Sequence, residues 1–298
     1  MSATVGLPGT QAPTRERLAD FLALTKPRIT LLVVITTLVG YLAATGASGA
    51  DAAVLAHTLL GTALVAAAAS VLNQVAERDA DAEMRRTARR PLPAGRLGPG
   101  EATVFGAGLV AAGGLYLALT VNPLASALAV LIAASYLLVY TPLKKVTSLA
   151  TVVGAVPGAV PPMIGWAAAR GTLGAEAWIL FAIVFFWQMP HFLAIAAIYR
   201  HDYQRAGFRV LPVVDPAGAS TGRQCALYGL ALIPISLLPS VVGMAGAAYF
   251  FAALVLGAAF VVFSVRLALQ PANPARARSL FRFSLLYLPL LWTALLAR

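Results

Sequence analysis

Nine long apolar segments, each bounded by charged residues, proline or glycine, constrain the fold of this chain more than any other feature of its sequence. A helix that crosses the hydrocarbon core of a bilayer needs about 20 mainly apolar residues. Only 11% of the 298 residues are charged, too few to coat a water-facing surface. We therefore predict an all-α polytopic membrane protein. Its nine predicted transmembrane helices cover residues 29–44, 53–76, 102–120, 123–140, 148–168, 176–198, 224–243, 245–269 and 280–296.

The basic residues give an independent test of this count. If the N-terminus lies inside, 20 of the 22 lysines and arginines fall in inside loops, and only Arg170 and Arg298 lie outside. Cytoplasmic loops carry such an excess of basic residues, and eight or ten spans would scramble it. The third and fourth segments, and the seventh and eighth, are separated by one or two residues, so a merged segment there is the alternative. We predict a cytoplasmic N-terminus, and the net charge of +11 then reflects topology and not a nucleic-acid partner.

The N-terminal region differs from the rest of the chain. Residues 1–20 contain no long apolar segment, so we expect a disordered cytoplasmic tail followed by one membrane-embedded domain over residues 21–298. The tail lacks the features of a transit peptide. This favours the cytoplasmic (inner) membrane of a bacterium as the location.

The first cluster of functional candidates lies at the end of the second apolar segment. Asn73, Glu77 and Asp81 are four residues apart, so on a helix they form a stripe on one face, while Asp79 points to the opposite side. Like charges at this spacing repel each other and need a neutralising partner. Mg²⁺ prefers oxygen ligands and is usually held by one or two carboxylates together with substrate phosphates. The alternative is that these acids pair with nearby arginines at the membrane surface.

Six arginines surround this stripe in the sequence. Guanidinium groups match phosphate oxygens in bidentate geometry, so the stripe and the arginines together indicate a diphosphate site. Arg78, Arg86 and Arg90 are our candidates for binding the diphosphate. The remaining three are Arg85, Arg89 and Arg96, and position alone does not tell which arginines face lipid headgroups instead.

Two further loops on the same side carry candidates. Pro142 breaks the fourth segment, so Lys144 and Lys145 can turn towards the site, although a role as membrane anchors is equally compatible with the pattern. Beyond the sixth segment, Arg200 is a further phosphate candidate. Asp202 can hold a second metal ion or pair with Arg200.

His191 lies inside the sixth apolar segment. Ionisable groups within the membrane are costly and are functional candidates by default. A single histidine in a membrane helix can also be a packing residue that is satisfied by a hydrogen bond.

Four stretches of the chain resemble one known family. They are Thr-Lys-Pro-Arg at 25–28, residues 73–96 with the ending Met-x-Arg-Thr-x-x-Arg-Pro-Leu-Pro-x-Gly-Arg, residues 140–166, and residues 187–213 beginning Trp-Gln-Met-Pro-His-Phe. Together they are similar to the UbiA-type intramembrane prenyltransferases, and within them to the branch that farnesylates haem. The resemblance implies nine helices around a central cavity, with two acidic clusters that hold Mg²⁺ and diphosphate at its cytoplasmic mouth. This chain departs from the second cluster, because Tyr199 and Tyr203 flank Asp202 where relatives generally carry a pair of acids.

The resemblance also implies an activity and residue roles. We expect farnesyl transfer from farnesyl diphosphate to a vinyl group of haem b, a reaction that needs Mg²⁺ and no side-chain nucleophile. The implied metal ligands are Asn73, Glu77, Asp81 and Asp202, and the implied catalytic set is Asn73, Glu77, Asp81, Arg86 and Lys144. His191 would contact the haem. The product would pass to a haem A synthase or an oxidase-assembly partner.

Other functions are compatible with parts of the sequence. A related enzyme could prenylate a quinone precursor or another aromatic or tetrapyrrole acceptor. A transporter or channel would usually place its binding site near the bilayer midplane between internal repeats, whereas the ionisable groups here gather on one side. A haem-binding scaffold without catalysis would not need the carboxylate stripe.

Overall fold

The computed structural model describes residues 14–46 and 49–297. These residues form α-helices joined by short loops, with one π-helical turn at Tyr136–Tyr140 and no β-strand. The α-helices are α1 (Thr14–Leu24), α2 (Pro27–Thr45), α3 (Ala52–Ala76), α4 (Arg78–Glu83), α5 (Pro99–Thr120), α6 (Pro123–Ser135), α7 (Thr141–Leu143), α8 (Ala150–Ala159), α9 (Pro161–Arg170), α10 (Ala175–Ile198), α11 (Arg200–Arg205), α12 (Leu211–Val214), α13 (Ala219–Val241), α14 (Ala247–Leu269) and α15 (Pro274–Leu296).

The predicted count of nine helices long and apolar enough to span a membrane is confirmed for the part of the chain that the structure describes. Seven are single helices. The fourth span joins α6, the π turn and α7, and the fifth joins α8 and α9. The third and fourth spans are not merged, because the Asn122 side chain accepts a hydrogen bond from the Ala125 amide (2.8 Å) and begins a new helix.

Two predicted span starts were wrong. The seventh span begins at Ala219 and the ninth at Pro274, each several residues before the predicted start. In the ninth span, arginines in the first turns interrupt the apolar pattern without ending the helix. Asn273 caps this helix through the Ala275 amide, and Pro274 suits its first turn.

The prediction of a disordered tail over residues 1–20 was wrong for its last part. Residues 1–13 lie outside the described residues, but residues from Thr14 onward form α1. Two ion pairs join α1 to the loop before α5 and to the start of α5, Asp20 with Arg96 and Arg17 with Glu101. Sequence reasoning missed these contacts because both partners lie more than 70 residues away in the chain.

The bundle has two interior spans. In the fifth and sixth spans, 67% and 61% of the residues in the most apolar part of the span are buried. In the other seven spans this share is 28–39%, so they turn a large apolar surface outward, where lipid would cover it. Close contact at the interior depends on residues without a side chain. A Cβ atom on Gly165 of α9 would lie 1.9 Å from the Thr37 carbonyl oxygen of α2. This small-residue packing brings α2 and α9 together beside the cavity described below.

Candidate active site at the mouth of an intramembrane cavity

Asn73, Glu77 and Asp81, here named the polar stripe, lie on one face of nearly continuous helix. The backbone bends at Glu77 between α3 and α4, but the Glu77 amide still bonds the Asn73 carbonyl (2.9 Å) and the Asp81 amide bonds the Glu77 carbonyl (2.7 Å). All three side chains are buried, at 2%, 8% and 1% exposure, whereas the Asp79 carboxylate is 86% exposed. The expected one-sided placement is confirmed.

An irregular turn at the end of the fourth span faces the polar stripe. Pro142 has no N–H to donate to the Leu138 carbonyl four residues earlier, and the helix widens into the π turn just before it. The Thr141 amide then bonds the Tyr136 carbonyl, five residues back. The turn places Thr141 and the residues after it next to the polar stripe.

Lys144 lies in a pocket that is both aromatic and acidic. Its Nζ donates to Glu77 Oε1 at 2.7 Å and lies 4.3 Å from the ring centre of Tyr140, with Tyr136 and Phe208 also within 6 Å. Burial disfavours the charge on Lys144, but charge interactions with Tyr136 and Glu77 together raise its pKa above the usual lysine value. Lys144 is therefore a fixed cation on the polar stripe.

A chain of hydrogen bonds orients the first two members of the polar stripe. The Thr141 hydroxyl donates to Asn73 Oδ1 (2.9 Å), and Asn73 Nδ2 donates to Glu77 Oε2 (2.9 Å). With Lys144 on the other oxygen, both carboxylate oxygens of Glu77 have a donor. The Asn73 carbonyl oxygen keeps a second lone pair for another contact.

Asp81 is held by the arginine-rich loop that follows α4. Its Oδ2 accepts a hydrogen bond from Arg90 Nη1 at 2.7 Å, and the Thr87 hydroxyl donates to the Asp81 backbone carbonyl (2.8 Å). The loop thus folds back over the helix from which it leaves. Without substrate, Glu77 and Asp81 thus pair with nearby cations, as in the alternative stated from the sequence.

Lys26, at the start of α2, completes the cluster. Its charge interacts with those of Arg90, Asp81, Glu77 and Lys144. Burial, and then the charge of Arg90, lower the pKa of Lys26 to about 8. Three cations therefore surround two carboxylates, and the cluster has an excess of positive charge when Lys26 is protonated.

An apolar cavity of about 340 Å³ opens beside this cluster. Small and aliphatic residues of α2, α3, α6, α8 and α9 form most of its wall, and Lys26, Tyr136 and Tyr140 lie at the polar end. On α3 the cavity is lined from Thr62 to Ser70, a length of about 12 Å at 1.5 Å rise per residue, and Ser70 lies three residues before Asn73. Its shape suits a long apolar chain with a charged head at the polar stripe.

Arg86 is clamped between two tyrosines. Its guanidinium carbon lies 5.4 Å from the ring centres of both Tyr199 and Tyr203, and its Nη2 donates to the Tyr203 hydroxyl at 3.1 Å. The two tyrosines on either side of Asp202 in the sequence therefore hold a cation.

Three predicted phosphate ligands lie away from these contacts. Arg78 is half exposed and pairs with Asp79 at 3.0 Å, on the outer face of α4. Lys145 is exposed, unlike its neighbour Lys144. Arg200 donates to the backbone carbonyl of Pro216 at 3.1 Å. Their roles in diphosphate binding stay predictions.

Asp202, the predicted second metal ligand, forms an ion pair with Arg205 of its own helix. The pair lines an open surface crevice of about 530 Å³ together with Arg85 and His201. The alternative partner considered from the sequence, Arg200, is therefore not the one found.

His191 packs between α10 and α15. Its Nδ1 hydrogen-bonds the Ser284 hydroxyl at 2.7 Å, and its ring stacks on Trp187 with 4.9 Å between centres. Phe281 lies against another side of the ring, and His191 is not among the residues that line the cavity. This is the geometry of the packing alternative, and the haem contact stays a prediction.

Sequence reasoning missed four residues of the site, namely Lys26, Thr141, Tyr136 and Tyr140. Lys26 and Pro27 lie in a stretch that supports the family resemblance, which was the available signal for Lys26. The other three depend on the π turn, which no hydropathy pattern indicates.

The chemistry of the polar stripe fits Mg²⁺ with a diphosphate. No group of three or more His, Cys, Asp or Glu side chains within the described residues is arranged to hold a metal ion alone. The stripe supplies two buried carboxylates and one amide oxygen. Mg²⁺ commonly binds one or two carboxylates and completes its ligand set with water and substrate phosphates. These oxygen donors therefore fit Mg²⁺ in combination with a substrate phosphate.

A helical membrane bundle with an apolar cavity that ends at a buried, one-sided polar cluster defines a class of membrane-embedded enzymes that act on apolar chains with a charged head. The chain belongs to the UbiA prenyltransferase family, whose profile matches residues 33–286. The resemblance stated from the sequence is thereby confirmed, and this protein is a multi-pass membrane prenyltransferase.

Individual relatives cover nearly the whole chain. It is 48% identical over 285 residues to a protoheme IX farnesyltransferase of Solibacter usitatus, covering 93% of this chain and 97% of the relative. It is 45% identical over 287 residues to a protoheme IX farnesyltransferase of Koribacter versatilis, with 94% and 93% covered.

Solved structures share the fold at low sequence identity. A digeranylgeranylglyceryl phosphate synthase aligns with TM-score 0.80 at 20% identity, over 94% of this chain and 98% of that one. A UbiA homologue from Archaeoglobus fulgidus bound to DMAPP and Mg²⁺ aligns with TM-score 0.65 at 16% identity, over 94% and 100%.

Proposed function

We propose that this protein transfers the farnesyl group of farnesyl diphosphate to a vinyl group of haem b (protohaem IX), giving haem O and diphosphate. The observation that carries the proposal is the 48% identity, over 93% of the chain, to a relative named for this activity. The apolar cavity that ends at a cluster of cations and carboxylates supports it, because farnesyl diphosphate combines a long apolar chain with a charged head.

The farnesyl chain would occupy the cavity with its diphosphate at the polar stripe. Lys144 and Arg90 now neutralise Glu77 and Asp81, and in the complex these cations would donate to phosphate oxygens instead. Arg86 would approach from the loop, its orientation fixed by the tyrosines. Cations placed where charge develops on a leaving group are usually the largest contribution to catalysis.

Asn73, Glu77 and Asp81 would hold Mg²⁺ through their side-chain oxygens. When bound, the ion would neutralise part of the negative charge that develops on the departing diphosphate. Exchange of cation partners at the two carboxylates would free their oxygens for the metal. Asp202, engaged by Arg205, would have to leave that ion pair to act as a ligand.

The reaction would proceed by ionisation. The bond between farnesyl C1 and the diphosphate oxygen breaks, and both electrons leave with the diphosphate. The terminal vinyl carbon of haem attacks C1, and water adds to the resulting cation with loss of one proton, which leaves a hydroxyethylfarnesyl group. The apolar wall would keep water from the allylic cation until the vinyl group reacts. Tyr136 and Tyr140, at the polar end, would present π faces to that cation.

The active site would face the cytoplasm. The polar stripe lies at the end of the second span, on the side to which the nine-span topology assigns 20 of the 22 basic residues, and loops on such a side are usually cytoplasmic. The bacterial cytoplasmic membrane is the proposed location. A haem A synthase or an oxidase-assembly protein would receive the product.

The test is a product assay with a matched control. The purified protein in lipid nanodiscs would receive haem b, farnesyl diphosphate and Mg²⁺, and mass analysis would follow the haem. The parent should give farnesylated haem, Asp81→Asn should lower the rate by about 100-fold or more, and Asp79→Asn should react like the parent because Asp79 is exposed and outside the site.

Two results would change the assignment. Unmodified haem together with prenylation of a quinone precursor would move the protein to another branch of its family. Equal rates for the Asp81 and Asp79 variants would remove the polar stripe from the mechanism.

His191 is tested separately as a haem contact. Binding would require its ring to gain access to haem beside Ser284 and Trp187. His191→Ala should then shift the optical spectrum of bound haem and weaken haem binding. An unchanged spectrum and affinity would leave His191 as a packing residue.

A further inference from the structure

Lys26 has an unusual backbone conformation. With φ 47° and ψ 64°, it is the only non-glycine residue with positive φ in residues 14–46 and 49–297. Left-handed backbone is disfavoured for a residue with a Cβ atom, and the following Pro27 restricts the residue before it to extended conformations. Such strain persists only where the surrounding structure imposes it, and it is concentrated at functional sites.

The helix that carries the polar stripe also holds the turn that contains Lys26. Gln74, the residue after Asn73 on α3, is 1% exposed and donates from Nε2 to the Leu24 carbonyl at 2.6 Å. Leu24 itself is fully buried. On the other side of the turn, the Thr30 hydroxyl donates to the Thr25 carbonyl (2.8 Å). The turn between α1 and α2 is therefore fixed in position relative to the stripe.

The ammonium group of Lys26 lies at the polar end of the cavity without a partner. It lines the cavity wall, and within the described chain it takes part in no side-chain hydrogen bond or ion pair. Lys144 and Arg90, by contrast, each contact a carboxylate of the stripe. A half-buried cation beside two others is electrostatically unfavourable until an anion arrives.

We propose that Lys26 binds the diphosphate of the prenyl donor, and that Gln74 is a positioning residue that holds the Lys26 turn against the polar stripe. The inference rests on the proposed function and adds to Lys144 and Arg90 a third cation, from the turn between α1 and α2. A diphosphate group has several oxygens, so it can accept from Lys26 while Lys144 and Arg90 bind others.

Arg28 provides a matched control for Lys26. It carries the same charge two residues later, but it is exposed and does not line the cavity. A cation that served only lipid headgroups would resemble Arg28. The two residues therefore separate a local binding role from a general effect of charge at the membrane surface.

The experiment measures binding without turnover. Farnesyl thiodiphosphate, a slowly ionising analogue, would be titrated in the presence of Mg²⁺ into the full-length protein in nanodiscs. Lys26→Gln should weaken binding by about ten- to a hundredfold, the usual effect of losing a hydrogen bond to a charged group. Lys26→Arg should recover most of the affinity, and Arg28→Gln should bind like the parent. The unfolding transition of Lys26→Gln should not fall, because the substitution removes an unpaired charge.

Gln74 is tested by its coupling to Lys26 and by kinetics. Gln74→Leu should raise KM for farnesyl diphosphate and leave KM for haem b unchanged, which a general loss of structure would not do. Combined with Lys26→Gln, it should add little to the loss of analogue affinity, because its effect acts through Lys26.

Three outcomes would overturn the inference. Parent-like affinity of Lys26→Gln for the analogue would show that the ammonium does not bind diphosphate. If Lys26→Gln raises KM for haem b but keeps the parent's affinity for the analogue, Lys26 would be assigned to the haem carboxylates. If the parent neither binds the analogue nor forms a prenylated product, the proposed function fails together with the inference. If the parent binds the analogue and Lys26→Gln binds it equally well, the inference alone is rejected.

Discussion

The buried ion pair between Glu77 and Lys144 permits a quantitative test of the site. The two side chains are 9% and 13% exposed, and Nζ lies 2.7 Å from Oε1. Coulomb's law with an effective dielectric constant of about 20 gives an attraction of about 6 kcal/mol at that distance. Desolvation of both groups offsets much of this, so the pair as a whole adds little net stability. Loss of one partner, however, leaves the other charge buried and unpaired.

We expect a large coupling energy in a double-mutant cycle. Glu77→Gln or Lys144→Met alone should lower the free energy of unfolding by about 3 kcal/mol, because each leaves an uncompensated charge. The double variant keeps side chains of similar size without either charge. It should be more stable than the sum of the single effects implies, with a coupling energy of about 2–4 kcal/mol. Equilibrium unfolding of all four proteins in mixed micelles with increasing SDS measures these differences.

Activity should behave differently from stability. Both residues are proposed to act on the diphosphate and its metal ion, so the double variant should recover stability but not farnesyl transfer. If the losses in free energy of unfolding of the two single variants add up to that of the double variant within about 0.5 kcal/mol, the ion pair as described would be refuted. Recovery of turnover in the double variant would refute the catalytic role and leave the pair as a structural contact.

Further expectations concern the clamp around Arg86, the packing of the bundle and the attachment of α1. Tyr203→Ala should raise KM for farnesyl diphosphate several-fold, since a cation–π contact at an exposed site contributes roughly 0.5–1 kcal/mol, and a parent-like KM in steady-state assays would argue against the clamp with Arg86. Gly165→Ala should lower the unfolding midpoint in detergent, because its new Cβ would lie 1.9 Å from a carbonyl of α2. Gly108→Ala on a helix surface meets nothing within 4 Å and should not lower it. Asp20→Asn removes the carboxylate bound by Arg96, and hydrogen exchange of the α1 amides should become faster; unchanged exchange would show that other contacts hold α1.

Hydropathy and charge predicted the nine spans because the bilayer sets both quantities locally. Each span must hold enough apolar residues in one stretch to cross the hydrocarbon core, and loop charges depend on the side of the membrane. Errors arose where polar residues occupy genuine helix. In α15 the arginines after Pro274 extend the helix beyond its apolar part. In α1 the stabilising ion pairs join residues distant in sequence.

The polar stripe could be predicted for a similar reason. Its spacing of four is a property of one helix, and the bend at Glu77 does not break the ladder of backbone hydrogen bonds. The surrounding cations could not be assigned in this way. Which lysine of the pair at 144 and 145 turns inward depends on the π turn, and Lys26 reaches the site from another helix. Such contacts depend on tertiary structure, which the pattern of one segment does not contain.

The resting state of the site explains how two buried carboxylates are tolerated beside the membrane. Glu77 is paired with Lys144 and Asp81 with Arg90, so neither acid is uncompensated before substrate arrives. If the cations move to the diphosphate, the carboxylates lose these partners, and a divalent cation can restore the balance. If a metal ion enters first, Lys144 and Arg90 lose their carboxylates, and the diphosphate can take their place. Each ligand therefore relieves the cost that the other imposes, and linkage requires the effect to be mutual. The same exchange of partners would oppose binding of the metal ion without the diphosphate, or of the diphosphate without the metal ion. This mutual dependence follows from the two ion pairs of the polar stripe and does not depend on the chemical step.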